Sequence, residues 1–113
     1  KNSVIDEVKF YLDINYAEKI KLQDVAKAYG IHPNYLTRIF HEKYGASPKQ
    51  YLMDLKLKKA GRLLATTKLN ISIIASSLGF DDQLSFSKYF KKKFGVSPSE
   101  YRRQSTLLSN HLL

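Results

Sequence analysis

At 113 residues and 13.0 kDa the chain is about one domain, with room for a modest core but not for two generous ones. Nineteen Lys and Arg against ten Asp and Glu give a net charge of +9 and a pI near 9.7, which points to a polyanionic partner. No run of about 18 apolar residues exists to cross a membrane. Zero cysteines exclude a disulfide scaffold and thiolate metal sites, and weakly suit a reducing cytoplasm. The first residues do not read as a secretory leader, and a start at Lys1 rather than Met suggests a piece of a longer protein.

In chain order, almost every segment has helical period and none alternates as a strand would. Ser3 followed by Asp6 resembles a capping box, and Val4, Val8, Tyr11, Leu12 and Tyr16 recur at helical spacing through residues 4–18. A short helix fits 22–29, with Leu22, Val25 and Ala26 inward and Gly30 as its stop. Pro33 suits the first turn of a third helix carrying Leu36, Ile39, Phe40 and Tyr44 on one side and ending at Gly45. A long helix follows over about 48–66, and residues 48–68 alone carry +5 (six Lys or Arg against one Asp). A second short helix, a second longer one and a last helix complete the pattern, with "TLLSNHLL" (106–113) as a short apolar tail that is either frayed, packed on the domain or a remnant foreign to it.

The phrase "GASPKQY" from Gly45 returns as "GVSPSEY" from Gly95. Each stops one helix and starts another: Ser47 or Ser97 caps, Pro48 or Pro98 fills the first position, and Gln50 or Glu100 is placed to reach back to the cap. Tyr51 and Tyr101 anchor the new helix. The repeat extends backwards at an offset of 50, pairing Phe40 with Phe90, Leu36 with Phe86 and Arg38 with Lys88. One residue added in "GFDDQ" then shifts it to 49, pairing Gly30 with Gly79, Ala26 with Ala75 and Leu22 with Ile71. A short helix, a glycine turn and a longer helix make a helix-turn-helix unit, and here there are two.

The stretches "VAKAYGIHPNYLTRIFHEKYGASPKQYL" (25–52), "AGRLLATT" (60–67) and "IASSLGFDDQLSFSKYFKKKFGVSPSEYR" (74–102) resemble the C-terminal DNA-binding domain of AraC/XylS-family bacterial transcription regulators. The resemblance covers roughly residues 5–103. It implies an all-α fold of about seven helices, with two helix-turn-helix subdomains joined by a long linker helix. The expected divisions are 1–47, 48–67 and 68–105, with 106–113 as the tail. It also implies recognition helices at about 33–44 and 83–94 in successive major grooves, a cytoplasmic location, and association with the nucleoid when bound. A separate N-terminal effector-binding or dimerisation domain, and contact with RNA polymerase, are further implications. Lys21, Lys56 and Ile73 depart from residues frequent in the family. Gly61 lies inside the linker helix at a cost of about 1 kcal/mol relative to Ala.

On the first recognition helix Asn34, Thr37, Arg38 and His41 share one face, opposite the core positions. Arg suits guanine, Asn suits adenine, and Thr offers a hydroxyl or a methyl contact. Against this stands a surface pair of Arg38 with Glu42 at i+4. Tyr35 either reaches the sugar-phosphate or covers the core edge. On the second helix Phe86, Tyr89 and Phe90 face inward, leaving Leu84, Ser87, Lys88 and Lys91 outward. Gln83, Ser87 and Lys88 are base-reading candidates, while Leu84 either meets a thymine methyl or packs. Tyr35, His41, Lys49, Lys91 and Lys92 are backbone candidates. The linker spans roughly 28 Å at 1.5 Å per residue, near the roughly 34 Å of one DNA turn. Some of Lys56, Lys58, Lys59 and Arg62 must face away from DNA.

His32, His41 and His111 lack metal spacing, and no catalytic set or cofactor loop is visible, so neither an enzyme nor a cofactor is expected. The reading is a sequence-specific double-stranded DNA-binding domain for transcription regulation. The alternative is a sequence-indifferent basic architectural protein.

Overall fold

The structure is a computed structural model that describes the backbone of residues 2–112 and the side chains of residues 4–110. Among the described residues there are seven helices and no strand: α1 (Asn2–Asn15), α2 (Leu22–Ala28), α3 (Pro33–Tyr44), α4 (Pro48–Thr66), α5 (Ile71–Ser77), α6 (Gln83–Phe94) and α7 (Pro98–Leu112). They form two compact units that divide within α4, between Leu55 and Lys56. The long fourth helix and both recognition helices fall where the periodicity and punctuation place them.

In the first unit Ile5, Val8 and Leu12 of α1 are buried with Val25, Ala26, Leu36, Phe40 and Leu52. Ile5 replaces Tyr11 on the inner stripe, because Tyr11 is exposed. The second unit buries Leu57, Ala60 and Leu64 of α4 together with Ile74, Ala75, Leu78, Phe86 and Phe90. The spacing of Leu57, Ala60 and Leu64 repeats that of Ile5, Val8 and Leu12. The duplication therefore extends to the helix preceding each short helix, which the sequence motifs did not reach.

The turns follow directly from their glycines. Gly30 and Gly79 have φ of 69° and 86°, a region that a Cβ disfavours. After each, the chain closes the short helix with two backbone bonds. Ile31 N–H donates to Ala26 O at 3.0 Å and Gly30 N–H to Lys27 O at 3.0 Å. Phe80 N–H donates to Ala75 O and Gly79 N–H to Ser76 O, both at 3.1 Å. This double closure satisfies carbonyls that would otherwise end in solvent.

The recognition helices start on side-chain caps: His32 Nδ1 accepts from Asn34 N–H at 3.0 Å, and Asp82 Oδ1 accepts from Ser85 N–H at 2.7 Å. The Ser-Pro restarts work as expected on one side, Ser47 Oγ and Ser97 Oγ each accepting a backbone N–H at 3.1 Å. The reciprocal half differs. Gln50 turns forward to Asp54 at 3.0 Å, and Glu100 turns forward to Arg103 and Gln104, because charged or amide partners one turn on compete for them. Lys21 begins α2 with no side-chain cap. Helix α1 starts at Asn2, ahead of the Ser3 cap position, and the Ser3 side chain lies outside the described residues. Helix α7 continues through Leu112, so the tail, whose order the sequence left open, is helical over 106–112; the His111 side chain lies outside the described residues.

Each unit braces its recognition helix with an aromatic group delivered by the restart motif. Phe40 meets Tyr44 and Tyr51 at centroid distances of 4.9 and 5.5 Å. Phe90 meets Phe94 and Tyr101 at 4.4 and 5.3 Å. In the first unit both phenols continue into α1: Tyr44 donates to Asp6 and Tyr51 to Asp13. Lys43 pairs with Asp6 at 2.5 Å, and Lys9 pairs with Asp13 at 2.9 Å while lying 5.6 Å from both tyrosine rings. In the second unit Tyr101 instead lies against α4 at Gly61. A Cβ there would stand 3.2 Å from the Tyr101 hydroxyl and 3.6 Å from Phe94. Gly61 is thus more than a propensity loss in a helix: it makes room for the brace.

Two expectations follow. Gly61→Ala gains about 1 kcal/mol of helix propensity but crowds Tyr101. The substitution should therefore stabilise a Tyr101→Phe background by more than it changes the parent chain, in a double-mutant cycle read by denaturant midpoints. Equal effects in both backgrounds would remove Tyr101 as the reason for the glycine.

The second concerns Asp6, whose carboxyl is held below its ordinary value first by the bond from Lys43 and then by the bond from Tyr44. A depressed carboxylate stabilises the fold above its unfolded pKa of about 4, and that contribution is lost as pH falls through the folded value. Asp6→Asn should lower the thermal midpoint at pH 7 and give a shallower decline between about pH 4 and pH 2 than the parent shows. A parallel decline would exclude Asp6 from the acid response.

Candidate nucleic-acid interface

Two polar helix faces form the candidate site, one in each unit. On α3, burial of Leu36 and Phe40 turns Asn34, Thr37, Arg38 and His41 outward, and all four are exposed. Tyr35 is also exposed and lies beside Arg38, whose guanidinium carbon is 5.5 Å from the ring centroid. The same guanidinium meets Glu42 at 3.3 Å, so the i+4 surface pair is present. Both partners are about three-fifths exposed, at 61% and 60%, so water screens the pair and DNA can compete for Arg38. Arg38 thus has a tyrosine ring and a carboxylate as neighbours on the exposed face of α3.

On α6, burial of Phe86 and Phe90 leaves Gln83, Lys88, Lys91 and Lys92 exposed and Ser87 half-buried. Leu84 is 67% exposed, which resolves its two readings against packing. Tyr89 was expected inward and is 46% exposed. It sits at the edge of the apolar stripe, where the aligned Ile39 fits but a phenol extends into water. No carboxylate lies on α6, whereas α3 carries Glu42. Lys49 is exposed in the first turn of α4.

The cations divide by what they touch. Lys43 is engaged with Asp6, and burial of the Tyr44 ring, aided by its bond to Asp6, pushes that phenol up to about 12. This holds the carboxyl-terminal end of α3 on α1. Of the four linker cations, some of which were expected to face away from DNA, Lys56 is buried and donates to Leu78 O at 2.6 Å. Lys58 and Arg62 are exposed, and Lys59 is half-buried.

Two residues that the sequence reading passed over lie near the first reading face. Gln23 and Lys27 of α2 line an open hollow of about 470 Å³ with Ile31, His32 and Pro33 at the start of α3. Their signal was visible: they are polar positions on the outer side of the helix that precedes the turn. A hollow of about 350 Å³ between α1 and α2, lined by Tyr11, Ile20, Val25 and Tyr29 among others, includes no α3 residue. Among the described residues no three His, Cys, Asp or Glu side chains converge as a metal site, and no helix is long and apolar enough to cross a membrane.

Known proteins share this fold and much of this sequence. A family model described as "Helix-turn-helix domain" matches residues 25–104. The chain is similar to the Msm operon regulatory protein of Streptococcus mutans, with 36% identity over 100 residues, 88% of this chain and 36% of that one. It is also similar to the lactose operon transcription activator of Staphylococcus xylosus, with 37% identity over 106 residues, 94% of this chain and 38% of that one. It spans little more than a third of the length of these curated relatives. The solved C-terminal domain of AraT, a response regulator from Geobacillus stearothermophilus, matches with a TM-score of 0.85 and 34% identity over 89% of this chain and 84% of that one. With two capped helix-turn-helix units, outward polar reading faces and a family match over most of its length, the chain belongs to the AraC/XylS family of transcription regulators and is a sequence-specific DNA-binding domain, not an enzyme.

Proposed function

We propose that α3 and α6 are both reading helices, entering successive major grooves of an asymmetric promoter site. The observation that carries this is the pairing of two outward faces with unlike side chains on equivalent, independently capped helices. Asn34, Thr37 and Arg38 read bases from α3, and Gln83, Ser87 and Lys88 read them from α6. Tyr35, His41, Lys49, Lys91 and Lys92 contact the sugar-phosphate backbone, with Gln23 and Lys27 added from α2. Backbone contacts supply affinity and register, and base contacts supply discrimination.

The curated relatives are longer than this chain, and that length supports assigning effector sensing and dimerisation to parts beyond these 113 residues. Contact with RNA polymerase is the corresponding route to activation, and the working location is the cytoplasm, on the nucleoid. The sequence-indifferent architectural reading is disfavoured by the family.

Selection of bound duplexes from a random pool tests the core of the proposal. Two separated, non-identical motifs about one helical turn apart are expected, whereas recovery without enrichment would defeat it. On the selected site, Arg38→Ala should cost about 1–3 kcal/mol and relax preference at one or two base pairs. A loss equal on every duplex would make Arg38 a phosphate anchor. Lys91→Ala should weaken all duplexes alike and reduce the slope of log affinity against log salt by about 1. An unchanged slope removes Lys91 from the backbone contacts.

A further inference from the structure

Lys56 is the one charged side chain buried among the described residues, with 7% of its surface exposed. It belongs to the second unit, at the point in α4 where that unit begins. Its ammonium donates to Leu78 O at 2.6 Å and lies 6.0 Å from the centroid of the Phe80 ring. Leu78 is the residue that ends α5, and Phe80 is the second residue of the turn. The Phe80 ring in turn meets Phe86, fully buried on α6, at 5.1 Å. One cation therefore addresses both the carbonyl end of the short helix and the ring beneath the reading helix.

Taking an ammonium out of water is costly even when it finds an acceptor. Burial also lowers the pKa of Lys56, the ordinary sign of that cost. What the ammonium adds is direction. Its donors fix a carbonyl at the end of α5, where the helix dipole favours positive charge. The first unit has no such device: in the repeat that pairs Ile5, Val8 and Leu12 with Leu57, Ala60 and Leu64, Val4 stands opposite Lys56. Its turn is held by the glycine closure and apolar packing.

We propose that Lys56 is a positioning residue for DNA reading, fixing the turn Leu78–Phe80 so that α6 presents Gln83, Ser87 and Lys88 at the right attitude. The proposal rests on α6 being a reading helix. Reading side chains tolerate errors of only about 0.5 Å, so a loosened turn weakens recognition without unfolding the unit. The linker helix thus sets the second head through a side chain.

The test compares the parent chain with Lys56→Met and Lys56→Arg by thermal unfolding, by amide hydrogen exchange without DNA, and by affinity with base-by-base interference on the selected duplex. Lys56→Met is expected to stay folded, yet to exchange the Gly79 and Phe80 amides about tenfold faster. Its affinity should fall by about tenfold, with the loss confined to the bases contacted by α6. Lys56→Arg, which keeps a charged donor, should restore slow exchange and affinity. Parent-like exchange and affinity in Lys56→Met overturn the proposal. So do a loss spread over both halves of the site, a Lys56→Met chain that fails to fold, or an Arg variant that behaves like Met. The exchange arm needs no DNA. Failure of the reading-helix proposal would instead appear as a parent chain without site preference, leaving exchange to decide the role of Lys56 at the turn.

Discussion

A reading helix can offer one face to DNA only if its opposite face is fixed, and here a phenylalanine–tyrosine contact does the fixing. Phe40 and Phe90 are fully buried at equivalent places on α3 and α6, and each meets a tyrosine carried by the next helix. The Ser-Pro restart delivers that tyrosine, because capping sets where the next helix begins and hence which turn faces back. The aromatic contact thus goes with which side of each helix is buried and which polar side is left outward.

The two units anchor this contact with different chemistry. The first uses a polar strap, with Asp6 and Asp13 of α1 accepting from Tyr44 and Tyr51 while Lys43 and Lys9 neutralise the carboxylates. The second uses close approach, with Tyr101 against the bare Cα of Gly61. A strap of partly exposed charges responds to pH and salt, whereas a packed ring against a helix does not. The duplicated fold therefore contains two heads of unequal sensitivity, one braced electrostatically and the other sterically.

Much of this architecture was legible in the sequence because its signals are local. Glycine turns, Ser-Pro caps and helical periodicity act over a few residues, and they place the two short helices, both recognition helices and α4. The misreadings arise where a distant partner decides. Gly61 looked like a helix defect because Tyr101 is forty residues away. Which of the linker cations turns inward was not legible, because the acceptor of Lys56, Leu78 O, lies 22 residues on at the end of α5. Gln50 and Glu100 stand at capping-box positions but found nearer competitors one turn ahead. The match of α1 with the second half of α4 escaped notice because only three apolar positions carry it, with no turn motif between them.

Net charge is the most easily misread of these signals. The excess of +9 is uneven along the chain, and its cations are not equivalent in their surroundings either. Lys9 and Lys43 neutralise the strap, Arg103 pairs with Glu100, Arg102 donates through Nε to Leu64 O, and Lys56 is buried. These charges build the scaffold. On α6 the exposed Lys88, Lys91 and Lys92 share a helix with no carboxylate, while on α3 Arg38 is flanked by Tyr35 and Glu42. A planar guanidinium and an ammonium also differ in how they meet an acceptor, the first as a fork and the second as a point charge. The same net charge thus stands in different surroundings on the two helices, with no carboxylate on α6 and with a ring and a carboxylate beside Arg38 on α3. The neighbours of each cation, not the total, distinguish the two faces.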